Sequence, residues 1–178
     1  MTDGPPTWAG LSDSESFQVW DAYGEFASFE RTYDSGRWPS IREPVPSVTW
    51  DLAQERPTSP TGAWGPAVEP DDVNALLNDA FKSCVEREEW LYALDWQHPC
   101  YRFWPHRMTE PENKNSWVVP VFPDDDYYIF LAQDFSFGTF GHPWEASLCV
   151  YGERLLEAVE ARNNNVLSSV LRRDGRML

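Results

Sequence analysis

Three histidines and three cysteines are the side chains of this sequence best suited to nucleophilic or metal chemistry. His98 and His142 each precede a proline, and each has a carboxylate three residues away, Asp95 before the first and Glu145 after the second. A carboxylate can orient an imidazole, so the two histidines could act as general acid and general base. If the fold also brought Cys100 beside them, a Cys–His nucleophile pair or a metal site would be possible.

The same spacing has a purely structural interpretation. Proline restricts the residue before it to extended backbone, so a His–Pro pair suits a turn. A zinc site usually contains a tight local pair such as CxxC or HExxH, and the sequence has neither. The motifs GxGxxG, GxxxxGKS/T and GxSxG are absent as well. We therefore predict no cofactor and no metal ion, and the sequence favours a binding protein over an enzyme.

Aromatic and acidic residues form a second candidate site, for binding another protein. Segment 135–144 alternates rings with small residues, and Phe137, Phe140 and Trp144 are the candidate apolar anchors. Aromatic rings in a loop cost stability unless they pack or bind, and Trp is enriched in interface hot spots. The carboxylates predicted to surround these anchors are Asp124, Asp125, Asp126 and Asp134.

Ten tryptophans in 178 residues also permit a small-ligand site. Trp96, Trp104, Trp117 and Trp144 lie around the predicted strands, where they could form an aromatic cage or a stacking platform. The alternative is that these large rings fill the core and its rim.

The strongly acidic composition excludes several classes of partner. The chain has 29 acidic and 14 basic residues and a formal net charge of −15. Nucleic acids and anionic membranes require a basic surface, so we expect neither as a partner. A basic protein is the expected partner, with fast and salt-sensitive association. Solubility alone is the competing explanation of the charge.

The cysteines and the apolar runs indicate the compartment. Cys84, Cys100 and Cys149 are odd in number and form no CxxC pair, which favours reduced thiols and the cytoplasm. No apolar run reaches 18 residues, and the first ten residues lack the basic and apolar regions of a secretory leader. We therefore expect neither a transmembrane helix nor a signal peptide.

Hydrophobic periodicity and turn residues predict the elements that position these side chains. Apolar stripes predict helices over 12–23, 71–85 and 153–162. Aromatic and β-branched runs predict strands over 47–52, 91–96, 101–104, 117–122, 127–132 and 147–151. Turns at 97–100 and 123–126 predict two hairpins, and the remaining segments 56–70 and 135–144 are predicted loops.

These elements predict an α+β fold. Short connections favour antiparallel pairing, because a parallel crossover needs a dozen residues or more. We expect a mainly antiparallel sheet of five or six strands with helices packed on one face. The chain is expected to form a single domain over residues 1–178, with an irregular N-terminus over 1–12 and a short helical or irregular tail over 163–178.

Several blocks of the sequence resemble a known bacterial family. They begin at residues 94, 126, 134, 141 and 151 and read LDWQHPCY, DYYIF, DFSFG, GHPWE and YGERL. Together they resemble the bacterial family labelled domain of unknown function 2716, over about residues 20–161. The two His–Pro blocks are the most specific part. The resemblance implies a compact bacterial cytosolic domain and carries no particular activity.

We expect from these observations an acidic protein-binding module, of the immunity or inhibitor type that caps a basic partner. The alternatives are an enzyme built on the two His–Pro turns and a small-ligand binder that uses the tryptophans. The first requires both imidazoles in one cleft, and the second requires a cavity of a few hundred cubic ångströms.

Overall fold

The computed structural model describes residues 4–53 and 68–178. Its helices are α1 (Asp13–Ala27), α2 (Pro70–Cys84) and α3 (Glu153–Glu160). Its strands are β1 (Trp8–Gly10), β2 (Ser47–Asp51), β3 (Leu91–Asp95), β4 (Tyr101–Phe103), β5 (Tyr128–Leu131), β6 (Gly138–His142), β7 (Ser147–Tyr151), β8 (Val170–Arg173) and β9 (Arg176–Met177). Most of the predicted loop 56–70 lies outside the described residues, and its last residue begins α2.

The described strands form one antiparallel sheet in the order β1-β4-β3-β5-β6-β7-β2-β8-β9. The α+β prediction is confirmed, but the described part of the chain forms a sheet of nine strands rather than five or six. Four of them form where no strand was predicted. β1 lies in the segment predicted to be irregular, β6 in the predicted aromatic loop, and β8 and β9 form a hairpin in the predicted tail.

Helices cover both faces of the sheet, which corrects the prediction of helices on one face. In β5, Tyr128 and Phe130 point to the face that packs against α2 and α3. Ile129 and Leu131 point to the other face, where Val19 and other residues of α1 cover them. A central strand buried on both faces is a continuous hydrophobic run, and β5 has this pattern.

The helix boundaries follow from local signals that the sequence contains. Ser12 and Glu15 form a capping box at the start of α1, in which each side chain bonds the other residue's backbone N–H. Pro70 occupies the first turn of α2, where its missing N–H costs little. No helix among the described residues is both long enough and apolar enough to cross a membrane.

The predicted strand over 117–122 does not form, so the hairpin predicted through 123–126 is wrong. The reason is a helix side chain: Asn74 of α2 accepts the backbone N–H groups of Val121 and Phe122 at 2.8 and 3.0 Å. These amides are therefore bound to the helix rather than to a neighbouring strand. The other predicted hairpin is confirmed, since β3 and β4 pair directly around the turn at 97–100.

The glycines of segment 135–144 belong to a central strand rather than to a loop. β6 pairs with β5 on one side and with β7 on the other. A Cβ atom on Gly138 would lie 2.4 Å from the carbonyl oxygen of Phe130, and one on Gly141 would lie 2.9 Å from Pro123 Cβ. Glycine inside a strand often marks such a close approach. Its low strand propensity is the reason that the sequence predicted a loop here.

Candidate functional site

Neighbouring strand ends place many of the predicted residues at one edge of the sheet. β3 ends at Asp95 and β6 ends at His142, whereas β5 and β7 begin at this edge, because adjacent strands are antiparallel. The acidic turn, which we define as Asp124–Asp126, leads into β5 and lies at the same edge. Trp144 follows β6 and completes the group.

Three predicted binding residues do not belong to this edge. Asp134 follows the opposite end of β5 and accepts hydrogen bonds from Ser136 in a local turn. Phe137 and Phe140 are only 5% and 1% exposed, because one precedes and the other lies within a strand that is paired on both sides. Both rings fill the core, so neither is available as an anchor on the surface of this fold.

His98 lies with two carboxylates in a small polar cluster. Its Nδ1 atom is 2.9 Å from Oδ1 of Asp95 and 3.8 Å from Oδ2 of Asp126. The imidazole is 58% exposed, whereas the two carboxylate side chains are only 15% and 14% exposed. An accessible imidazole is thus held against two largely buried acids.

Burial and proximity shift the proton affinities within this cluster. Burial raises the pKa of Asp95 and of Asp126 above the ordinary value for aspartate. The hydrogen bond to Asp95 and the negative charges around it raise the pKa of His98. A protonated His98 therefore partly offsets the cost of keeping the two carboxylates ionised.

His142 lies in the opposite environment, although it also precedes a proline. Its side chain is fully buried, and its Nδ1 atom accepts the backbone N–H of Glu145 at 3.1 Å. Its Nε2 atom is 2.9 Å from the hydroxyl of Ser40. Burial lowers the pKa of His142 to about 4, and the positive charge of Arg172 acts in the same direction against the charge of Glu145.

These hydrogen bonds determine which nitrogen of His142 carries the proton. Nδ1 accepts a backbone N–H, so in the neutral ring the proton is on Nε2, which donates to Ser40. Ser40 then donates to the hydroxyl of Tyr127 at 3.2 Å, and Tyr127 donates to the carbonyl of Thr32 at 2.8 Å. Serine activation requires the opposite tautomer, with Nε2 as acceptor. The Ser40–His142 contact is therefore a structural chain and not a nucleophilic pair.

A buried ion-pair network lies next to this chain. Arg172 donates to both oxygens of Glu145 at 2.6 and 2.7 Å and to Oε1 of Glu43 at 2.8 Å. Burial would raise the pKa of Glu145, but the hydrogen bonds from Arg172 and Ser147 lower it below its ordinary value. The network ties β8, in the C-terminal hairpin, to the loop after β6. Glu145 thus holds Arg172, rather than orienting His142 for catalysis.

Trp144 forms the exposed aromatic part of this edge. Its ring is packed edge-on against Tyr33 at 4.3 Å between ring centroids and rests on the buried Tyr127 at 5.1 Å. The exposed fractions of Trp144 and Tyr33 are 37% and 56%. The guanidinium of Arg31 lies 4.7 Å from the centre of the Tyr33 ring and also interacts electrostatically with Asp126. The aromatic pair and the acidic turn are therefore neighbours.

An acidic cavity lies on the α2 side of the same turn. Its volume is about 540 Å³. Four carboxylates and one ammonium group line it: Glu69, Asp71, Asp124, Asp125 and Lys114. The rings of Trp117, Phe122 and Tyr128 form the apolar part of the wall. Burial raises the pKa of Asp124, as expected for a carboxylate that faces a partly enclosed space.

The four tryptophans proposed as a cage are distributed over separate places. Trp96 packs with Trp20 in the layer under α1, and Trp117 packs with Trp8 in the layer under α2. Trp104 lies against Arg107 and beside Trp90, which is not one of the four. A cavity of about 810 Å³ does exist beside β7, but no tryptophan is among the described residues that line it.

The three cysteines do not join the histidines in a reactive site. All are buried and free, and burial raises the pKa of each thiol. Cys100 points its sulfur towards the carbonyl groups of Asp95 and His98 at 3.8 Å. A thiol with a raised pKa is a poor nucleophile, so Cys100 packs under the His98 turn rather than reacting there.

Sequence reasoning missed Ser40, Tyr33 and Arg172, which contact the predicted residues. Ser40 and Tyr33 come from the turn-rich segment after α1, more than 100 residues before His142 and Trp144 in the chain. Arg172 comes from the tail that was expected to be helical or irregular. The residues of β8 read VLRR, two apolar and then two basic, so no period-two pattern in the sequence indicated a strand with a buried arginine there.

Comparisons with known proteins cover most of the chain. A family model described as protein of unknown function (DUF2716) matches residues 10–156. The uncharacterized protein YxiI of Bacillus subtilis (strain 168) is 32% identical in an alignment of 160 residues that covers 86% of this chain and 92% of that protein. No solved structure matches. The family match includes both His–Pro turns, the acidic turn and Trp144, and it ends before β8.

Proposed function

The chain belongs to the DUF2716 family of proteins of unknown function, and we propose that it is an acidic module that binds a basic protein. The observation that carries the proposal is the exposed pair Trp144 and Tyr33 beside the acidic turn. We name this surface, with the acidic cavity next to it, the acidic edge. A basic partner that is capped in this way would be inhibited, as in an immunity or inhibitor pair.

The aromatic pair has the features of an interface anchor. Tyr127 supports Trp144 from below and is itself held by hydrogen bonds to Thr32 and Ser40. An anchor that is already held in place loses little conformational entropy on binding. Trp and Tyr supply large contact areas and dominate interface hot spots. The pair therefore supplies apolar contact area without rearrangement of the fold.

The acidic cavity supplies the charge complementarity. Its carboxylates, including Asp124 and Asp125, suit the charged end of a lysine or arginine from the partner. The rings that line the same cavity suit the apolar stem of such a side chain or the face of a guanidinium. The net charge of −15 adds long-range attraction to a basic surface.

The two-histidine enzyme has less support than this binding function. His142 is fully buried with both ring nitrogens hydrogen-bonded, so it cannot exchange a proton with a bound substrate. His98 is exposed, but it contacts Asp95 and Asp126, whereas His142 contacts Ser40 and Tyr127, so the two imidazoles lie in separate environments.

The proposal is tested by affinity capture with variants matched in charge and size. The tagged full chain captures proteins from a lysate of its own host at about 50 mM and about 500 mM NaCl, read by mass spectrometry. We expect one basic protein at low salt, because screening by high salt weakens attraction between opposite charges. Trp144→Ala and the double variant Asp124→Asn/Asp125→Asn should each reduce capture at least about tenfold, the loss expected for a hot spot.

Two control variants distinguish binding at the acidic edge from nonspecific effects of net charge and of exposed aromatic rings. Asp21→Asn/Glu25→Gln removes the same two charges from the exposed side of α1, and Phe17→Ala removes an exposed ring from that helix. Both should capture the partner as the wild type does. Equal losses in the control and edge variants, or no basic protein at low salt, would overturn the proposal.

A further inference from the structure

We propose that Asp95, His98 and Asp126 form a binding site for a divalent transition-metal ion, with Zn²⁺ the best match. The site would bind its ion in the chain alone, so it does not depend on the protein partner proposed above. It uses one ligand from the end of β3, one from the turn that follows, and one from the acidic turn before β5. Local sequence spacing does not bring these three together, since β3–β5 pairing places Asp126 next to the His98 turn.

The ligand atoms already have the spacing that a small divalent ion requires. The three atoms lie within 4.8 Å of one another, and the two distances from His98 Nδ1 to the carboxylate oxygens are 2.9 and 3.8 Å. Ligands bound tetrahedrally at about 2.0–2.1 Å from zinc are separated from one another by about 3.4 Å. The 2.9 and 3.8 Å separations each lie within about 0.5 Å of that value, and the third, which is at most 4.8 Å, would close by side-chain rotation to bring all three ligands onto one ion.

Neighbouring hydrogen bonds hold the ligands in position. Oδ1 of Asp126 accepts the backbone N–H of Tyr127 at 2.7 Å, which leaves Oδ2 facing His98. The backbone N–H of His98 points back to the carbonyl of Asp95 at 3.4 Å, and Cys100 packs beneath that turn. Contacts of this kind, one step removed from the metal, orient ligands and raise metal affinity.

The chemistry of the donors selects the class of ion. One imidazole nitrogen with two carboxylate oxygens suits zinc and its neighbours, whereas magnesium and calcium prefer oxygen alone. The ion takes the place of the proton on His98 Nδ1: the neutral imidazole forms the nitrogen–metal bond, and the proton leaves to solvent. The exposed side of His98 leaves room for water as a further ligand.

Protonation should compete with the ion. Apart from its own two carboxylate partners, the described charged groups that act on this cluster are Asp125 and Arg31. The hydrogen bond to Asp95 and the nearby negative charges raise the pKa of His98. A proton on the imidazole competes with the ion for Nδ1, so affinity for the ion should fall at low pH. Arg31 acts in the other direction by lowering the pKa of Asp126.

The test is calorimetric titration of the full chain with ZnCl₂ after removal of metals with a chelator. We expect one ion per chain, and release of a proton that makes the apparent heat depend on the ionisation enthalpy of the buffer. His98→Gln and Asp126→Asn should each weaken zinc binding at least about 100-fold, the upper range for loss of a supporting group at a metal site.

His106→Gln is the matched control, because His106 is the other exposed histidine and lies away from this edge. It should bind zinc as the wild type does. The proposal would be overturned if the chain did not bind one zinc ion at millimolar zinc. It would also be overturned if His98→Gln and His106→Gln weakened zinc binding equally. Repeating the partner capture in the presence of a chelator distinguishes this proposal from the protein-binding proposal. Capture of the basic partner should persist in chelator, because that interaction does not require the metal ion.

Discussion

His98 and His142 show how far the environment decides what one dipeptide does. Both are followed by proline and lie near a carboxylate, yet one imidazole is 58% exposed and the other is fully buried. The pKa of His98 is raised by its hydrogen bond to Asp95, and burial lowers the pKa of His142 to about 4. The first is suited to bind a cation, and the second holds the fold together as a neutral ring.

The low pKa of His142 makes stability depend on pH. An unfolded chain has a histidine pKa of about 6.5, so it binds a proton over the range in which folded His142 remains neutral. The free energy of unfolding should therefore fall as pH decreases from about 6.5 to about 4, by on the order of 1 kcal/mol per pH unit from this group. Urea unfolding at pH 7 and pH 5 measures the change.

His142→Asn isolates the contribution of this group, because asparagine retains an acceptor for the Glu145 N–H and does not titrate. The variant should be less stable at pH 7, and its stability should change less between pH 7 and pH 5 than that of the wild type. If the variant lost as much stability as the wild type between pH 7 and pH 5, the pH dependence could not be assigned to His142.

The strand β6 is the element on which the arrangement of the site depends. It carries His142 at its end and leads into Trp144, and it lies between β5 and β7. Its two glycines allow neighbouring backbone and rings to approach closely. An element that looks like a loop in sequence therefore sets the distance between the acidic turn and the aromatic pair.

Gly138→Ala tests this close packing. The new methyl would lie 2.4 Å from the carbonyl oxygen of Phe130 and 2.8 Å from the hydroxyl of Tyr151, so strands must shift. We expect the free energy of unfolding to fall by about 1–3 kcal/mol, the usual cost of overpacking a core. Gly24→Ala in α1 meets nothing within 4 Å and should raise stability by about 0.5–1 kcal/mol. Chemical denaturation of both variants measures their free energies of unfolding. Similar changes in the two variants would contradict the close packing at Gly138.

The whole molecule combines a sheet covered on both faces with a large excess of negative charge. The strand order brings the segment after α1, the acidic turn and the end of β6 to one edge, although they are distant in the chain. Repulsion among the charges that make up the net charge of −15 destabilises the folded state. The same charge speeds association with a basic partner. Arg172 offsets part of the repulsion inside, where it joins Glu43 and Glu145.

This repulsion predicts stabilisation by salt. Raising NaCl from about 10 mM to about 150 mM shortens the screening length from about 30 Å to about 8 Å. We expect the melting temperature to rise by about 2–4 °C, as for about 1 kcal/mol in a chain of this size. Asp21→Asn/Glu25→Gln, with a net charge of −13, should show a smaller rise. Differential scanning calorimetry at the two salt concentrations measures the melting temperatures. A fall in melting temperature with added salt would contradict destabilisation by charge repulsion.

Local patterns in the sequence determined most of the regular elements and the family. Apolar stripes and capping residues placed α1, α2 and α3 within a few residues, and aromatic runs placed β3, β5 and β7. The blocks around the two His–Pro pairs identified the family that the comparisons confirm. These features depend on neighbours in the chain, so a single sequence is sufficient to find them.

Tertiary structure alone decided which side chains meet and which are exposed. Neither β6 nor the C-terminal hairpin has strong strand propensity, and both become strands because neighbouring strands take up their backbone hydrogen bonds. The same pairing buries Phe140, leaves Trp144 at the surface, and separates Asp134 from the acidic turn. Exposure, proton affinity and the convergence of Asp95, His98 and Asp126 are long-range properties, so only the folded sheet determines them.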